Sequence, residues 1–271
     1  MSGRLVLVAD DYGLSPAVSE GIRALIATRR LSGTGCMTLF PEWQTEAALL
    51  REAPGIEDCA VGLHLTLTDF AGLTRWSLDG NGRMPALKGL IAAVSASRAH
   101  DASIAAELDA QLAAFEAAWG APPAYLDGHQ HVHFLRPVRH WLAARAGHFA
   151  ALASRPWLRG APTMAYAEGA ALKAKAGFVG MLARGFDKAM RAAGYPVRGP
   201  LAGFYDWRQP ESFAPALDRW LGSVPAGTLV MCHPGGIDDT LRGRDGLVEA
   251  REVERDTLLA RDSLAMKVTD R

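Results

Sequence analysis

Cysteine is scarce in this chain. Cys36, Cys59 and Cys232 stand far apart among 271 residues, and an odd, scattered set does not build a disulfide framework. Net charge is missing too, since Lys+Arg and Asp+Glu balance at 29 each. A nucleic-acid groove and an anionic membrane surface both need clustered positive charge, so neither partner is expected. No apolar run approaches the roughly 18 residues of a spanning helix, so no membrane span is expected. The apolar run at 5–9 is too short for a signal-peptide core and meets two aspartates at once, which points to a cytoplasmic, reduced protein. Cys232 adjoins His233, but sequence neighbours rarely form a nucleophile and its base, so it reads as a small buried residue.

What is present is an ordinary globular composition, 49% hydrophobic and 21% charged, in a chain of a length that one α/β barrel fills as a single domain over residues 1–271. Residues 4–10 read as a buried strand. Ser15 then caps a helix to about residue 30, with Pro16 at its first position. Residues 34–40 and 59–67 read as strands, with a helix at 42–53 between them. An Ala-rich helix follows at 102–119, a strand at 125–133 and a helix at 137–147. The pattern ends with a strand at 228–233 and an amphipathic helix at 247–264. Strands alternating with helices imply parallel pairing and an α/β architecture. Residues 154–207 scatter Gly169, Gly177, Gly180 and Gly185 among helix formers, and read as an insertion or lid carrying one or two helices.

The polar residues fall where the strands end. Asp10 and Asp11 close the first, His64 and His129 sit near the ends of later ones, and His233 ends the last. Parallel strands of a barrel present their C-terminal ends to one face, where active sites are built. Taken singly, Asp11 suits a turn cap and His64 a core position. Adjacent side chains of an extended strand point to opposite faces, so Asp10 and Asp11 converge only if the strand breaks into a turn between them. One carboxylate then suits a metal ion and the other a proton acceptor. In an extended run Asp127, His129, His131 and His133 share one face, a spacing that suits a metal rim with Asp127 orienting an imidazole. His233, before Pro234, is placed to donate a proton to a leaving amine. Tyr12, His131 and His133 are the expected substrate-binding set, with aromatic faces such as Tyr12 suited to sugar rings.

The segments ADDYGLS (9–15), GLHLTLT (62–68), DGHQHVH (127–133) and MCHPGG (231–236) together resemble the YdjC-like carbohydrate deacetylases. That family includes chitooligosaccharide deacetylases and deacetylases of hopanoid biosynthesis. The resemblance implies a deformed, TIM-like (β/α) barrel related to the polysaccharide deacetylases. It implies one divalent ion, Mg2+ or Zn2+, on Asp11, His64 and His129, with Asp10 as general base and His233 as acid. Tyr12 stands where Phe is usual and Gly128 where Ser is usual. The expected reaction is removal of an acetyl group from an N-acetylated sugar, oligosaccharide or glycolipid, by a metal-activated water. The partner is then a small carbohydrate, and a homodimer is compatible with the sequence. Two alternatives stand: another metal-dependent hydrolase on a barrel (a phosphoesterase or amidohydrolase), and a non-catalytic sugar- or metal-binding protein. No Lys or Arg lies close to these motifs in sequence, which counts against phosphate chemistry.

Overall fold

The computed structural model describes residues 5–152 and 154–261. Among them are eight short strands: β1 (Val6–Tyr12), β2 (Gly33–Cys36), β3 (Ala60–Leu65), β4 (Tyr125–Gly128), β5 (Trp157–Arg159), β6 (Val197–Arg198), β7 (Leu201–Ala202) and β8 (Leu229–Cys232). Their spatial order is β6-β5-β4-β3-β2-β1-β8-β7, and every neighbouring pair is parallel. Beyond β5, Pro162 bridges Leu201 of β7 in parallel register, and the Leu201 N–H donates to the Ala161 carbonyl at 3.1 Å. The two ends of the sheet therefore meet, and the eight strands make a nearly closed barrel.

The helices are α1 (Pro16–Ala27), α2 (Trp43–Arg51), α3 (Leu87–Ala96), α4 (Asp101–Trp119), α5 (Arg136–Ala150), α6 (Gly169–Leu182), α7 (Phe186–Ala192), α8 (Phe213–Ser223), α9 (Asp239–Arg244) and α10 (Glu249–Leu259). In α1 the Ser15 side chain accepts from the Val18 N–H, and Val18, Ile22, Leu25 and Ile26 form one buried stripe. Gly21 on that helix lets the loop after β8 pack closely, since a Cβ there would lie 2.9 Å from the Gly235 Cα. Inside the barrel Gly62 leaves room for the Tyr125 ring, 2.5 Å from where its Cβ would stand. Gly35 does the same for His64. Tyr125 in turn stacks on Trp157 with centroids 4.2 Å apart.

Three differences from the sequence reading affect the site. Residues 154–207 do not simply decorate the barrel, because they supply β5, β6 and β7 along with α6 and α7. The second strand ends at Cys36, and the strand expected over 125–133 ends at Gly128, the last residue with a parallel partner in β3. Arg4, expected to open the first strand, and residues 262–264, expected to close the last helix, lie outside the described residues.

Candidate metal centre

At the C-terminal rim of the barrel, β1 breaks. Its register with β2 slips between Ala9 and Tyr12, and Asp11 takes a left-handed φ of 69°, which aspartate tolerates better than most residues. This kink lets adjacent carboxylates reach the same place. Oδ1 of Asp11 lies 3.4 Å from Nε2 of His64 and 3.0 Å from Nδ1 of His129. One donor atom from each of Asp11, His64 and His129 lies within 4.8 Å of the others, so the three could hold a metal ion. Asp10, Asp127 and His64 form a second such group beside it.

The surroundings decide how each group is held. His64 donates Nδ1–H to Asp127 at 2.6 Å, which turns its Nε2 toward Asp11. The buried guanidinium of Arg159 donates to both oxygens of Asp10, at 2.7 and 2.5 Å, and pairs with Asp127 as well. Arg251, equally buried, donates to Oδ2 of Asp11 at 2.7 Å. Burial would raise the pKa of Asp11, but Arg251 and His129 hold it well below the usual carboxylate range. Burial likewise opposes charge on His64, yet the carboxylates of Asp127 and Asp10, with its hydrogen bonds to Asp11 and Asp127, push its pKa up to about 10. With His64 protonated, Asp10, Asp11 and Asp127 are matched by Arg159, Arg251 and the imidazolium, and a cation at the Asp11, His64 and His129 donors would take the place of that proton. A divalent cation fits that donor set.

After Gly128 the chain turns through a short 3-10 stretch, His129–Phe134, with Gln130 and His131 left-handed. The extended run expected to align four side chains is therefore absent, because no neighbouring strand remains to pair with it. Asp127 serves His64 and His129 reaches Asp11. His131 is half-buried beside Phe204, and His133 is 1% exposed against Phe134 and Phe186. Tyr12 is not brought to the rim. It is fully buried, its hydroxyl donating to the Glu46 carbonyl at 2.7 Å and accepting from Arg23 at 2.8 Å.

His233 is brought there, with Nε2 3.9 Å from Oδ2 of Asp10 and its ring edge-on to Trp207 at 4.9 Å. Burial lowers its pKa to about 4 against the opposing charges of Asp11 and Asp10. Its backbone N–H donates to the buried Glu254 at 2.5 Å, and Glu254 also accepts from the Tyr205 hydroxyl at 2.5 Å. Burial pushes the Glu254 carboxyl up to about 7. Arg159, Arg251 and Glu254 were all missed by sequence reasoning. A charged residue closing the apolar pair Trp157-Leu158 was a usable signal for Arg159. Nothing local marks Arg251 on its charged helix.

A family model described as YdjC-like protein matches residues 4–266. The chain belongs to the YdjC-like family. This YdjC-like chain is 34% identical over 140 residues to a chitooligosaccharide deacetylase of Yersinia enterocolitica, covering 51% of this chain and 53% of that one. It is 30% identical over 164 residues to a chitooligosaccharide deacetylase of Enterobacter sp. (strain 638), covering 54% and 58%. It thus spans about half the length of the curated relatives it matches. A solved structure, of a candidate cellobiose-phosphate cleavage protein from Enterococcus faecalis V583, aligns with TM-score 0.69 at 18% identity over 100% of this chain and 98% of the other. At that identity the likeness shows the barrel fold that both share.

Proposed function

We propose that this YdjC-like chain is a metal-dependent N-deacetylase that hydrolyses the acetyl amide of an N-acetylated sugar to acetate and a free amine. The observation that carries the reading is the juxtaposition of a three-donor site, Asp11, His64 and His129, with a fourth group, Asp10, which is close by but held away from ligation by Arg159. The relatives named chitooligosaccharide deacetylase point to the same bond. A divalent ion held there, Mg2+ or Zn2+, would polarise the acetyl carbonyl and acidify a water. Mixed nitrogen and oxygen ligation suits either ion.

The chain's own residues supply the proton handling. Asp10 is fixed in orientation by Arg159, and a carboxylate with about four lone-pair sites still has capacity to take the proton of the attacking water. His233 is the group placed to protonate the departing nitrogen. Its buried setting keeps it neutral at rest, so the proton it delivers arrives during turnover, and Asp10 at 3.9 Å is the nearby carrier. Half-buried His131 is proposed to line the sugar site. Tyr12 and His133 support the rim from within the core.

A two-metal phosphoesterase fits less well. The second acidic group, Asp10, His64 and Asp127, already holds the Arg159 guanidinium, which stands where another cation would. Arginines do accompany the motifs in space, contrary to their absence in sequence, but both are committed to carboxylates and offer phosphate nothing. The test is acetate release from a panel of N-acetylated sugars and lipid-linked glycans by metal-loaded protein. Asp10→Asn is expected to lower the rate by about 10²–10⁴-fold while the protein still binds metal. Silence across the whole panel, or an Asp10→Asn variant as active as the parent, would sink the reading.

A further inference from the structure

Helix α6 turns an apolar face to solvent. At about 100° per residue, Ala170, Ala171, Ala174, Phe178 and Met181 fall within one arc of roughly 100°. All five are exposed, Phe178 by 45% and Met181 by 64%, while Ala176 and Val179 on the opposite side are buried. Met164, 54% exposed, lies against Gly177 and widens the patch. Lys173 and Lys175 flank the arc on its two edges. From Gly169 to Ala192 the chain carries five basic residues, Lys173, Lys175, Arg184, Lys188 and Arg191, and one acid, Asp187. That acid is engaged: its carboxylate accepts the Ala161 N–H at 3.0 Å and lies 3.9 Å from Arg191. Glu168, just before the helix, is paired with Arg219 at 2.7 Å.

The outward stripe of a surface helix is ordinarily polar, and a contiguous exposed apolar patch marks a place of contact. A long cationic side chain at the edge of such a stripe, as Lys173 is, is the arrangement of a helix lying in a bilayer interface, while Lys175 on the other edge turns its ammonium over the Trp207 ring. The apolar face enters the acyl boundary, and the ammonium group reaches back to anionic headgroups. A second copy of the chain is a poorer occupant. A two-fold contact places the patch against the same patch of the other copy, so the basic edges of the two copies would be brought together with no acidic partner on the α6 arc. We propose that α6 docks this protein on an anionic lipid bilayer.

The zero net charge of the whole chain does not oppose this, because the attraction acts within about 10 Å of the cluster. Docking would also set the orientation of the site. Nζ of Lys175 lies 3.7 Å from the Trp207 ring centroid, and Trp207 touches His233, so one side chain separates α6 from the site. A bilayer at α6 would lie on that side of the site. The docking itself is independent of the reaction performed there.

The experiment is sedimentation of the full chain with vesicles, without any sugar present. Vesicles of phosphatidylcholine alone are compared with vesicles that also contain phosphatidylglycerol. The protein is expected to pellet with the anionic vesicles and to be released by salt. Lys173→Glu should bind roughly tenfold more weakly or worse, and the double variant Phe178→Asp/Met181→Asp should stay in the supernatant with an unchanged melting temperature. Parent protein that ignores anionic vesicles overturns the proposal, as does a folded double variant that pellets like the parent. A concentration-dependent dimer that Phe178→Asp dissociates would assign the face to a second copy instead.

Discussion

Asp11 divides its two oxygens, Oδ1 facing the imidazoles of His64 and His129 and Oδ2 accepting from Arg251. Arg159 does the complementary thing, spanning Asp10 and Asp127 with one planar group. A lysine is a point charge and cannot reproduce that fork. Arg159→Lys is therefore expected to reduce acetate release far more than stability. Arg159→Met, which strands two buried carboxylates, should cost about 3–5 kcal/mol in a denaturant titration. His133 gives a pH signature. Burial first, and the charges of Arg159 and His64 next, hold its pKa well below 6.5, so the folded state binds fewer protons than the unfolded one as pH falls below that value. Stability present above pH 6.5 is thus lost on acidification. Replacing His133 with Leu should flatten the loss by up to one proton, about 1.4 kcal/mol per pH unit, in denaturation midpoints measured from pH 7 down to pH 5.

At the scale of elements, the barrel interior depends on what its strands leave out. Gly62 in β3 faces the Tyr125 ring of β4 with no space for a methyl group. Gly62→Ala should destabilise the fold by about 1–3 kcal/mol, by displacing that ring or the strand that carries His64. A melting temperature equal to the parent's would show that the interior has slack there. The elements best read in advance were those with strong local signals. Ser15-Pro16 opens α1 and the Ala-rich run forms α4. The run from Asp127 to His133 was misread because alternation says which residues share a face only while a strand continues. Where β3 stops offering partners, the chain coiled and sent His133 inward. Residues 154–207 hid β5, β6 and β7 because strands of two or three residues are too short to show any periodicity.

For the whole molecule, three buried carboxylates, two guanidiniums and the imidazoles of His64 and His129 meet at one rim, with donor atoms close enough together to hold a divalent ion. A divalent ion that binds the folded state and not the unfolded chain stabilises by about 2.7 kcal/mol at 100 times its Kd, a rise of roughly 5–10 °C in melting temperature. Scans with Mg2+ or Zn2+ against scans with chelator check this. A melting curve that no divalent ion moves would remove the metal from the site.

The order of apolar runs and helix caps was enough to specify parallel α/β pairing with Asp and His at the strand ends, because those signals are local and short-ranged. The barrel was implied by the YdjC-like resemblance. The pairing of Arg159 with Asp10, 149 positions away, and of Arg251 with Asp11, 240 away, belongs to the closed barrel alone. So does the left-handed kink at Asp11 that turns neighbouring carboxylates to one point. Charge balance in a buried site is set by which groups share the same few ångströms, and only closing the sheet brings these together.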